Sequence, residues 1–189
     1  MIKIGILGDI GSGKSYTAQN FGYPVFDADH EVAKLYQQNR KIFIKLKKKL
    51  PKYIHTFPVE KKEIADAILA NQNNLDKIIK IVHPKIREKM NIFLKKHKDK
   101  KIVILDIPLL LEKKINKKKD ILVFVQSKKS IVLKKLKKRK NFNQKLLKEF
   151  KSVQLPINYK KKKSQFIIKN DFTPKSVRKS INNILKKII

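Results

Sequence analysis

Cysteine is absent from this chain of 189 residues, which excludes disulfide bonds and thiolate metal sites. The histidines are His30, His55, His83 and His97, and no two of them have the short spacing typical of paired metal ligands. We therefore expect no structural metal.

Long hydrophobic runs are also missing. The longest apolar stretch, at 102–111, is interrupted by Asp106 and Pro108 and is much shorter than the ~20 residues that a membrane-spanning helix needs. The N-terminus enters an apolar strand pattern within two residues, so we expect no signal peptide. We expect a cytoplasmic protein without membrane association, built as a single compact domain over 1–189.

Acidic residues are scarce, with 15 Asp and Glu against 48 Lys and Arg, for a formal charge of +33. Clustered lysine is typical of nucleic-acid binding, because it neutralises phosphates and releases counterions. Here the lysines are scattered over every segment, which also fits a general lysine bias, and neither arginine forks nor aromatic platforms are concentrated anywhere. We predict no specific nucleic-acid partner, although the charge helps to attract anionic substrates.

The most informative motif is Gly-Asp-Ile-Gly-Ser-Gly-Lys-Ser at 8–15, directly after the apolar run at 4–7. It matches the phosphate-binding loop, whose backbone N–H groups surround a β-phosphate. Lys14 is suited to the β- and γ-oxygens and the Ser15 hydroxyl to Mg²⁺, and a helix starting here directs its positive dipole end at the phosphates. The residues predicted to bind ATP in this segment are Gly8, Gly11, Ser12, Gly13, Lys14, Ser15 and Tyr16.

Apolar runs alternate with helical patterns along the chain. Strands are predicted at 2–7, 24–26, 102–107, 121–125 and 166–168. Helices are predicted at 14–21, 30–36, 40–50, 59–70, 75–98, 130–138, 144–153 and 174–188. Continuous apolar runs are typical of parallel strands covered on both faces. The pattern predicts an α/β fold of the P-loop NTPase type, a five-stranded parallel sheet flanked by helices, with a helical acceptor-binding insert at about 37–98 and a basic helical lid at about 127–163.

Three aspartates lie at or near the ends of predicted strands. Asp27 and Asp29 end the second strand, and an extended segment would place both side chains on the same side. Phosphoryl transfer to an alcohol needs a carboxylate that orients the attacking hydroxyl, whereas the alternative for Asp29 is a helix N-cap. Asp106 ends the third strand and is a candidate metal ligand, as in a Walker B element; turn formation before Pro108 is the alternative.

Further candidates lie in the predicted helical insert and the predicted lid. His83 and Pro84 interrupt a long helical pattern, where proline predicts a break. A kink there would suit His83, and Arg87 one turn later, for gripping a substrate phosphate or sugar. Arg139 is one of few arginines in a lysine-rich chain, and its planar guanidinium suits stacking on adenine or a forked contact with phosphate.

Together these residues resemble the dephospho-CoA kinase family, whose members place the 3′-phosphate on coenzyme A. The resemblance covers nearly the whole chain. Its elements are the loop at 8–15, Asp-Ala-Asp at 27–29, His83-Pro84, Pro-Leu-Leu-x-Glu at 108–112, Arg139, Gln154-x-Pro156 followed by Lys160, and Asn170 after the last strand.

The resemblance implies ATP and dephospho-CoA as substrates, with Mg²⁺ as cofactor. It implies that Asp29 is the base for the ribose hydroxyl, that Lys14 acts in catalysis, and that Arg139 closes over the nucleotide. With the candidates identified above, the residues predicted on the acceptor side are Asp27, His83, Pro84, Arg87, Pro108, Leu109 and Lys160, and Ser15 and Asp106 are predicted at the metal. A monomer or weak homo-oligomer is expected.

The sequence departs from the family at three places. Asp9 adds a negative charge where the family usually has glycine, Tyr16 replaces a common threonine, and Ser164-Gln165 replaces the usual Ala-Asp before the last strand. Two other functions stay open at this point: another small-molecule kinase, such as a nucleoside monophosphate kinase, and a basic nucleic-acid-binding ATPase.

Overall fold

The computed structural model describes all residues 1–189 and contains one sheet. Its strands are β1 (Ile2–Gly8), β2 (Val25–Asp27), β3 (Ile102–Asp106), β4 (Ile121–Gln126) and β5 (Phe166–Lys169). All pairings are parallel, in the order β2-β3-β1-β4-β5. The α/β class, the five parallel strands and their positions are therefore confirmed.

The central strands are apolar throughout because both faces of the sheet are covered. On one face Ile4, Ile104 and Val123 belong to a buried cluster that also includes Ala18 and Val177 from two helices. On the other face, a Cβ added at Gly5 would collide with a methyl carbon of Leu110, so Leu110 packs directly against β1 there. Burial on both faces explains why no polar alternation marks these strands in the sequence.

Nine helices complete the chain. They are α1 (Lys14–Asn20), α2 (Ala28–Gln38), α3 (Arg40–Lys49), α4 (Lys61–Ala70), α5 (Asn73–Lys96), α6 (Lys129–Lys137), α7 (Gln144–Ser152), α8 (Ile157–Lys163) and α9 (Pro174–Ile188). Eight of them overlap the predicted helices. The exception is α8, whose four consecutive lysines give no apolar periodicity to read.

The chain forms two compact units. The sheet unit comprises 1–27, 97–142 and 154–189, and the helical unit comprises 28–96 and 143–153. In the sheet unit α1 packs on β1, β2 and β3, α9 packs on β5 and α1, and α8 packs on β1 and β4. A single domain over 1–189 stays a prediction.

The helical unit is built around α5, which packs against α2, α3 and α4, while α7 packs against α4. Its buried side chains include Leu35, Leu46, Ile68 and Val82. The predicted lid segment at 127–163 is therefore divided, since α6 and α8 belong to the sheet unit and α7 to the helical unit. None of the helices in the structure is both long and apolar enough to cross a membrane.

The predicted break at His83-Pro84 is wrong. Helix α5 runs without interruption through Pro84. A proline inside a helix removes one backbone hydrogen bond and strains the preceding turn. The helix persists because Ile79 and Val82 before the proline and Ile86 after it are buried, so tertiary packing of both halves outweighs the local preference.

We predict that Pro84→Ala stabilises the protein. Pro84 is exposed in the middle of a helix, and alanine there would restore the backbone hydrogen bond and relieve the strain. The free energy of unfolding should rise by about 1–3 kcal/mol, as measured by urea denaturation. Asn91→Ala, at another exposed interior position of α5, is the matched control and should gain only the difference in helix propensity, about 0.5 kcal/mol. Equal gains in the two variants would show that Pro84 causes no strain.

Candidate active site

Parallel pairing brings the carboxyl ends of the strands to one edge of the sheet. Gly8 ends β1 beside Val125 of β4, and Asp27 of β2 is the register partner of Asp106 of β3. Ser127 follows β4, and Asn170 follows β5. Ligands of open parallel sheets bind at this edge, and five residues from distant parts of the sequence meet there within the sheet unit.

The loop at 8–15 requires glycine at two positions for steric reasons. At Gly8, with φ of 151°, a Cβ would lie 2.6 Å from the Val125 carbonyl oxygen and 2.7 Å from the Ser12 hydroxyl. At Gly13, with φ of 91°, a Cβ would lie 2.3 Å from the Asn170 amide nitrogen. The positive φ values and the close approach of neighbouring atoms exclude other residues, as predicted from the motif.

The side chain of Lys14 folds back over the loop. Its Nζ donates hydrogen bonds to the carbonyl oxygens of Gly8 at 3.2 Å and Asp9 at 2.8 Å. The ammonium group is thereby held over the loop, where a phosphate chain would bind. The Asp9 carboxylate accepts a hydrogen bond from the Ile10 N–H at 2.7 Å, so part of its charge is satisfied by the adjacent backbone.

Ser15 and Asp106 form a pair at the end of β3. The Ser15 hydroxyl lies near the Asp106 carboxylate, and Asp106 is only 4% exposed. Burial raises the pKa of Asp106, against the opposing effects of the Ser15 hydroxyl and the charge of Lys14, while the charge of Asp27 adds to the increase. This arrangement joins a hydroxyl and carboxylates, which are oxygen ligands of the kind that Mg²⁺ prefers. No cluster of three or more His, Asp or Glu side chains could hold a metal ion by itself.

Asp29 lies in the helical unit, and its predicted extended conformation is wrong. Helix α2 begins at Ala28, so Asp29 is in the first helical turn and is neither extended nor an N-cap. A carboxylate in the first turn is favourable because it faces the positive end of the helix dipole. The exposed Asp29 is thus oriented by the helix and not by the strand.

Tyr36 is a residue that sequence reasoning missed. It lies seven residues after Asp29 on α2, hence two turns away on the same face. Burial, and secondarily the negative charge of Asp29, raise the pKa of Tyr36 far above its usual range. The phenol therefore stays neutral. The spacing of seven was visible in the sequence, but burial of the hydroxyl was not.

The candidates His83 and Arg87 are four residues apart on α5 and share one face of that helix. Helix α5 is tied to α2 by an ion pair between Lys89 Nζ and Glu31 Oε2 at 2.8 Å, and Lys34 binds the other oxygen of Glu31 at 2.9 Å. The structure therefore brings Asp29 and the α5 candidates together within one unit, on two helices that contact each other.

Lys160 has a different environment from the one its predicted role suggests. It is only 2% exposed, and its Nζ lies 2.7 Å from Glu112 Oε1 and 2.9 Å from Gln154 Oε1. The same Glu112 oxygen accepts the Leu155 N–H at 3.0 Å, and Glu112 is itself only 6% exposed. Lys160 thus connects the Pro-Leu-Leu-x-Glu element to α8, and a contact with substrate stays a prediction.

The remaining candidates are placed as follows. Leu109 is buried and Pro108 half-buried in the turns after β3. Arg139 is exposed just beyond the end of α6, where its backbone N–H donates to Leu136 and its carbonyl accepts from Phe142. Tyr16 is exposed on α1. Their roles stay predictions.

Known proteins provide an independent comparison. The sequence model of the dephospho-CoA kinase family matches residues 2–175. This chain belongs to the dephospho-CoA kinase family. Dephospho-CoA kinase of Wolbachia pipientis wMel is 32% identical over 96% of this chain and 95% of its own length, and that of Bartonella quintana is 31% identical over 97% and 98%. The resemblance inferred from the motifs is confirmed.

Solved structures agree on the fold. A crystal structure from Thermus thermophilus has a TM-score of 0.79 at 24% identity, covering 100% of this chain and 98% of that one. Dephospho-CoA kinase from Campylobacter jejuni has a TM-score of 0.63 at 21% identity, covering 98% and 96%. Shikimate kinase from Acinetobacter baumannii has a TM-score of 0.52 at 14% identity, covering 100% and 93%. The P-loop kinase fold is therefore confirmed.

We predict that Lys160→Met destabilises the protein by about 3–5 kcal/mol, because it leaves the buried Glu112 carboxylate without its counter-charge. Urea denaturation measures the loss. Lys162→Met, an exposed position on the same helix, should change stability by less than about 0.5 kcal/mol. Adding Glu112→Gln to Lys160→Met should recover part of the loss. Wild-type stability of Lys160→Met would contradict a structural ion pair.

We predict that replacing Asp106 has a pH-dependent effect on stability. The pKa of Asp106 is raised in the folded state. The stability that the Asp106 side chain contributes is therefore present below its unfolded pKa of about 3.9 and is lost as the pH rises through its folded pKa. Relative to wild type, Asp106→Asn should therefore gain free energy of unfolding as the pH rises above the unfolded pKa. Urea denaturation at several pH values measures this difference. A difference that stays constant across the range would refute the raised pKa.

Proposed function

We propose that this protein transfers the γ-phosphoryl group of ATP to the ribose 3′-hydroxyl of dephospho-CoA, giving coenzyme A and ADP, the last step of coenzyme A biosynthesis. The observation that supports it most directly is the placement of the phosphate-binding loop, with Ser15 and Lys14, next to Asp106 at the sheet edge. Membership of the dephospho-CoA kinase family supports the choice of acceptor.

The loop at 8–15 is proposed to hold the triphosphate. Its backbone N–H groups would bind the β-phosphate, and Lys14 would exchange the Gly8 and Asp9 carbonyls for β- and γ-oxygens. Because those carbonyls are weaker partners than a phosphate, the lysine is already positioned for the exchange. Arg139 would add a planar contact to the nucleotide.

Ser15 and Asp106 fit a magnesium ion. Mg²⁺ is bound in proteins by few side chains together with substrate phosphates and water, which agrees with one hydroxyl and one carboxylate here and with the lack of an all-protein metal cluster. When bound, Mg²⁺ would neutralise part of the negative charge that develops on the β- and γ-phosphates. Asp27, the register partner of Asp106, adds a second carboxylate nearby.

Asp29 is proposed as the group that orients the acceptor. Its carboxylate would accept the proton of the ribose 3′-hydroxyl as the oxygen bonds to the γ-phosphorus and the bond to ADP breaks. His83, Pro84, Arg87, Pro108, Leu109 and Lys160 are proposed on the acceptor side by resemblance to the family.

Several expectations remain predictions. These are a cytoplasmic location, a monomer or weak homo-oligomer, and the lack of a specific nucleic-acid partner. A nucleoside monophosphate kinase and a nucleic-acid-binding ATPase are the competing functions, and no feature of the structure favours either of them.

The experiment that tests the proposed function is release of ADP from Mg-ATP with and without dephospho-CoA, with the product identified by mass. Acceptor-dependent ADP together with a product one phosphate heavier is expected. Phosphorylation of nucleoside monophosphates instead, or hydrolysis stimulated by nucleic acid, would overturn the proposal in favour of one of the competing functions.

We predict that Asp29→Asn lowers kcat by roughly 100- to 10,000-fold, the range that a positioned general base contributes, and leaves the KM for ATP nearly unchanged. Steady-state kinetics with both substrates varied measures this. Asp76→Asn is the matched control, because Asp76 also lies exposed in the first turn of a helix in the same unit, and its kcat should equal that of the wild type. Wild-type turnover by Asp29→Asn would remove Asp29 from the mechanism.

A further inference from the structure

The carbonyl oxygen of Ser12, in the middle of the phosphate-binding loop, accepts hydrogen bonds from two side chains. Ser127 Oγ donates to it at 2.9 Å and Asn170 Nδ2 donates to it at 2.8 Å. The two donors come from different strands, since Ser127 directly follows β4 and Asn170 directly follows β5. They lie 115 and 158 residues from Ser12 in the sequence, so the carbonyl is held by the sheet and not by its own loop.

The Asn170 side chain is itself fixed. It is only 3% exposed, and its Oδ1 accepts the Phe172 N–H at 2.8 Å. With its oxygen occupied in this way, its NH₂ group faces Ser12. The backbone N–H of Asn170 donates to the Gln126 carbonyl at 2.8 Å, which ties the residue to the end of β4. The donor therefore has little freedom to move away from the loop.

Fixing the Ser12 carbonyl also fixes the next N–H. The only cis peptide bond in the chain is Phe57-Pro58, so the Ser12-Gly13 peptide is trans and planar, and its C=O and N–H point in opposite directions. The two donors hold the carbonyl toward the ends of β4 and β5. The Gly13 N–H must then point to the other side, the position of the N-terminus of α1, where anions bind.

Glycine at position 13 is part of the same arrangement. A Cβ there would lie 2.3 Å from Asn170 Nδ2, so the amide group of Asn170 occupies the space that any other residue would fill. The Gly13 carbonyl is also held, by the Thr17 N–H at 2.9 Å and the Thr17 hydroxyl at 3.0 Å. The peptide groups on both sides of Gly13 are thus fixed by contacts outside the loop.

We propose that Ser127 and Asn170 are positioning residues for the triphosphate: by donating jointly to the Ser12 carbonyl, they aim the Gly13 N–H at the phosphate chain. This inference rests on the proposed function, in which the loop at 8–15 binds ATP. Preorganised N–H groups bind phosphate more tightly because no ordering is needed when the ligand arrives. The role requires only the donor atoms and no contact between these two side chains and the nucleotide.

The test compares Ser127→Ala, Asn170→Leu and the double variant with wild type. Each single variant leaves one donor on the carbonyl, and its affinity for Mg-ADP should fall about three- to ten-fold. The double variant leaves none, and its loss should exceed the product of the two single losses, because the carbonyl then has no partner. Calorimetry with Mg-ADP measures these affinities, and thermal denaturation checks that each variant is folded.

A kinetic readout separates positioning from general damage. The KM for ATP should rise, while the KM for dephospho-CoA stays within about two-fold of wild type, since the acceptor does not use the Gly13 N–H. Ser127→Thr keeps the hydroxyl and should restore the wild-type KM for ATP. Ser180→Ala is the matched control, because Ser180 Oγ also donates to a backbone carbonyl in the sheet unit, that of Ser176 at 2.9 Å, and this variant should behave as wild type.

Lys14→Ala distinguishes failure of this inference from failure of the proposed function. Loss of Mg-ADP binding in Lys14→Ala, together with wild-type binding in the Ser127 and Asn170 variants, would overturn the positioning role alone. Wild-type binding in Lys14→Ala would overturn ATP binding at this loop, and the positioning role with it. Equal increases in both KM values for the Ser127 and Asn170 variants would also contradict positioning and indicate general disruption.

Discussion

Parallel pairing of β1 between β3 and β4 is the constraint on which the rest of the site depends. A parallel sheet places every carboxyl end on one edge, so the loop after β1, the carboxylates ending β2 and β3, and the polar residues following β4 and β5 converge without any local sequence signal linking them. The register of Asp27 with Asp106 and of Gly8 with Val125 sets the relative positions of these residues along the strand direction. A slip of one residue in any of these pairings would turn the polar groups to the opposite face.

The loop is held by interactions that a bound phosphate chain would have to replace and by others that it would leave intact. Lys14 belongs to the first kind, since its ammonium rests on two loop carbonyls. The hydrogen bonds to the Ser12 and Gly13 carbonyls belong to the second kind, because they approach from outside the loop. This division explains how a segment with three glycines can have a defined shape before a ligand arrives. The entropy of ordering the glycines is already lost on folding.

Local patterns were sufficient to predict the strands and the loop. Strands buried on both faces give continuous apolar runs, and the loop needs glycines at fixed spacing, so both features can be recognised in consecutive residues. They failed where tertiary packing overrides local preference. Pro84 does not break α5 because Val82 and Ile86 are both buried, and α8 has no apolar periodicity although Lys160 is buried within it. Asp29 was placed correctly next to the strand but in the wrong conformation. The contact of Asn170 with Ser12 spans 158 residues, so only the folded sheet reveals it.

The excess of lysine makes the few carboxylates informative. In a chain with 48 basic and 15 acidic side chains, a buried carboxylate cannot be explained by overall composition and needs a specific partner. The buried side chain of Glu112 binds Lys160 and the Leu155 N–H. The more exposed Glu63 accepts the N–H groups of His55, Thr56 and Glu60. Both carboxylates thus accept hydrogen bonds from backbone N–H groups, and Glu112 also pairs with a buried cation. Asp106 differs, because its burial raises its pKa. The fold therefore disfavours the charge of Asp106 instead of using it for stability, which agrees with its proposed role as a ligand of magnesium.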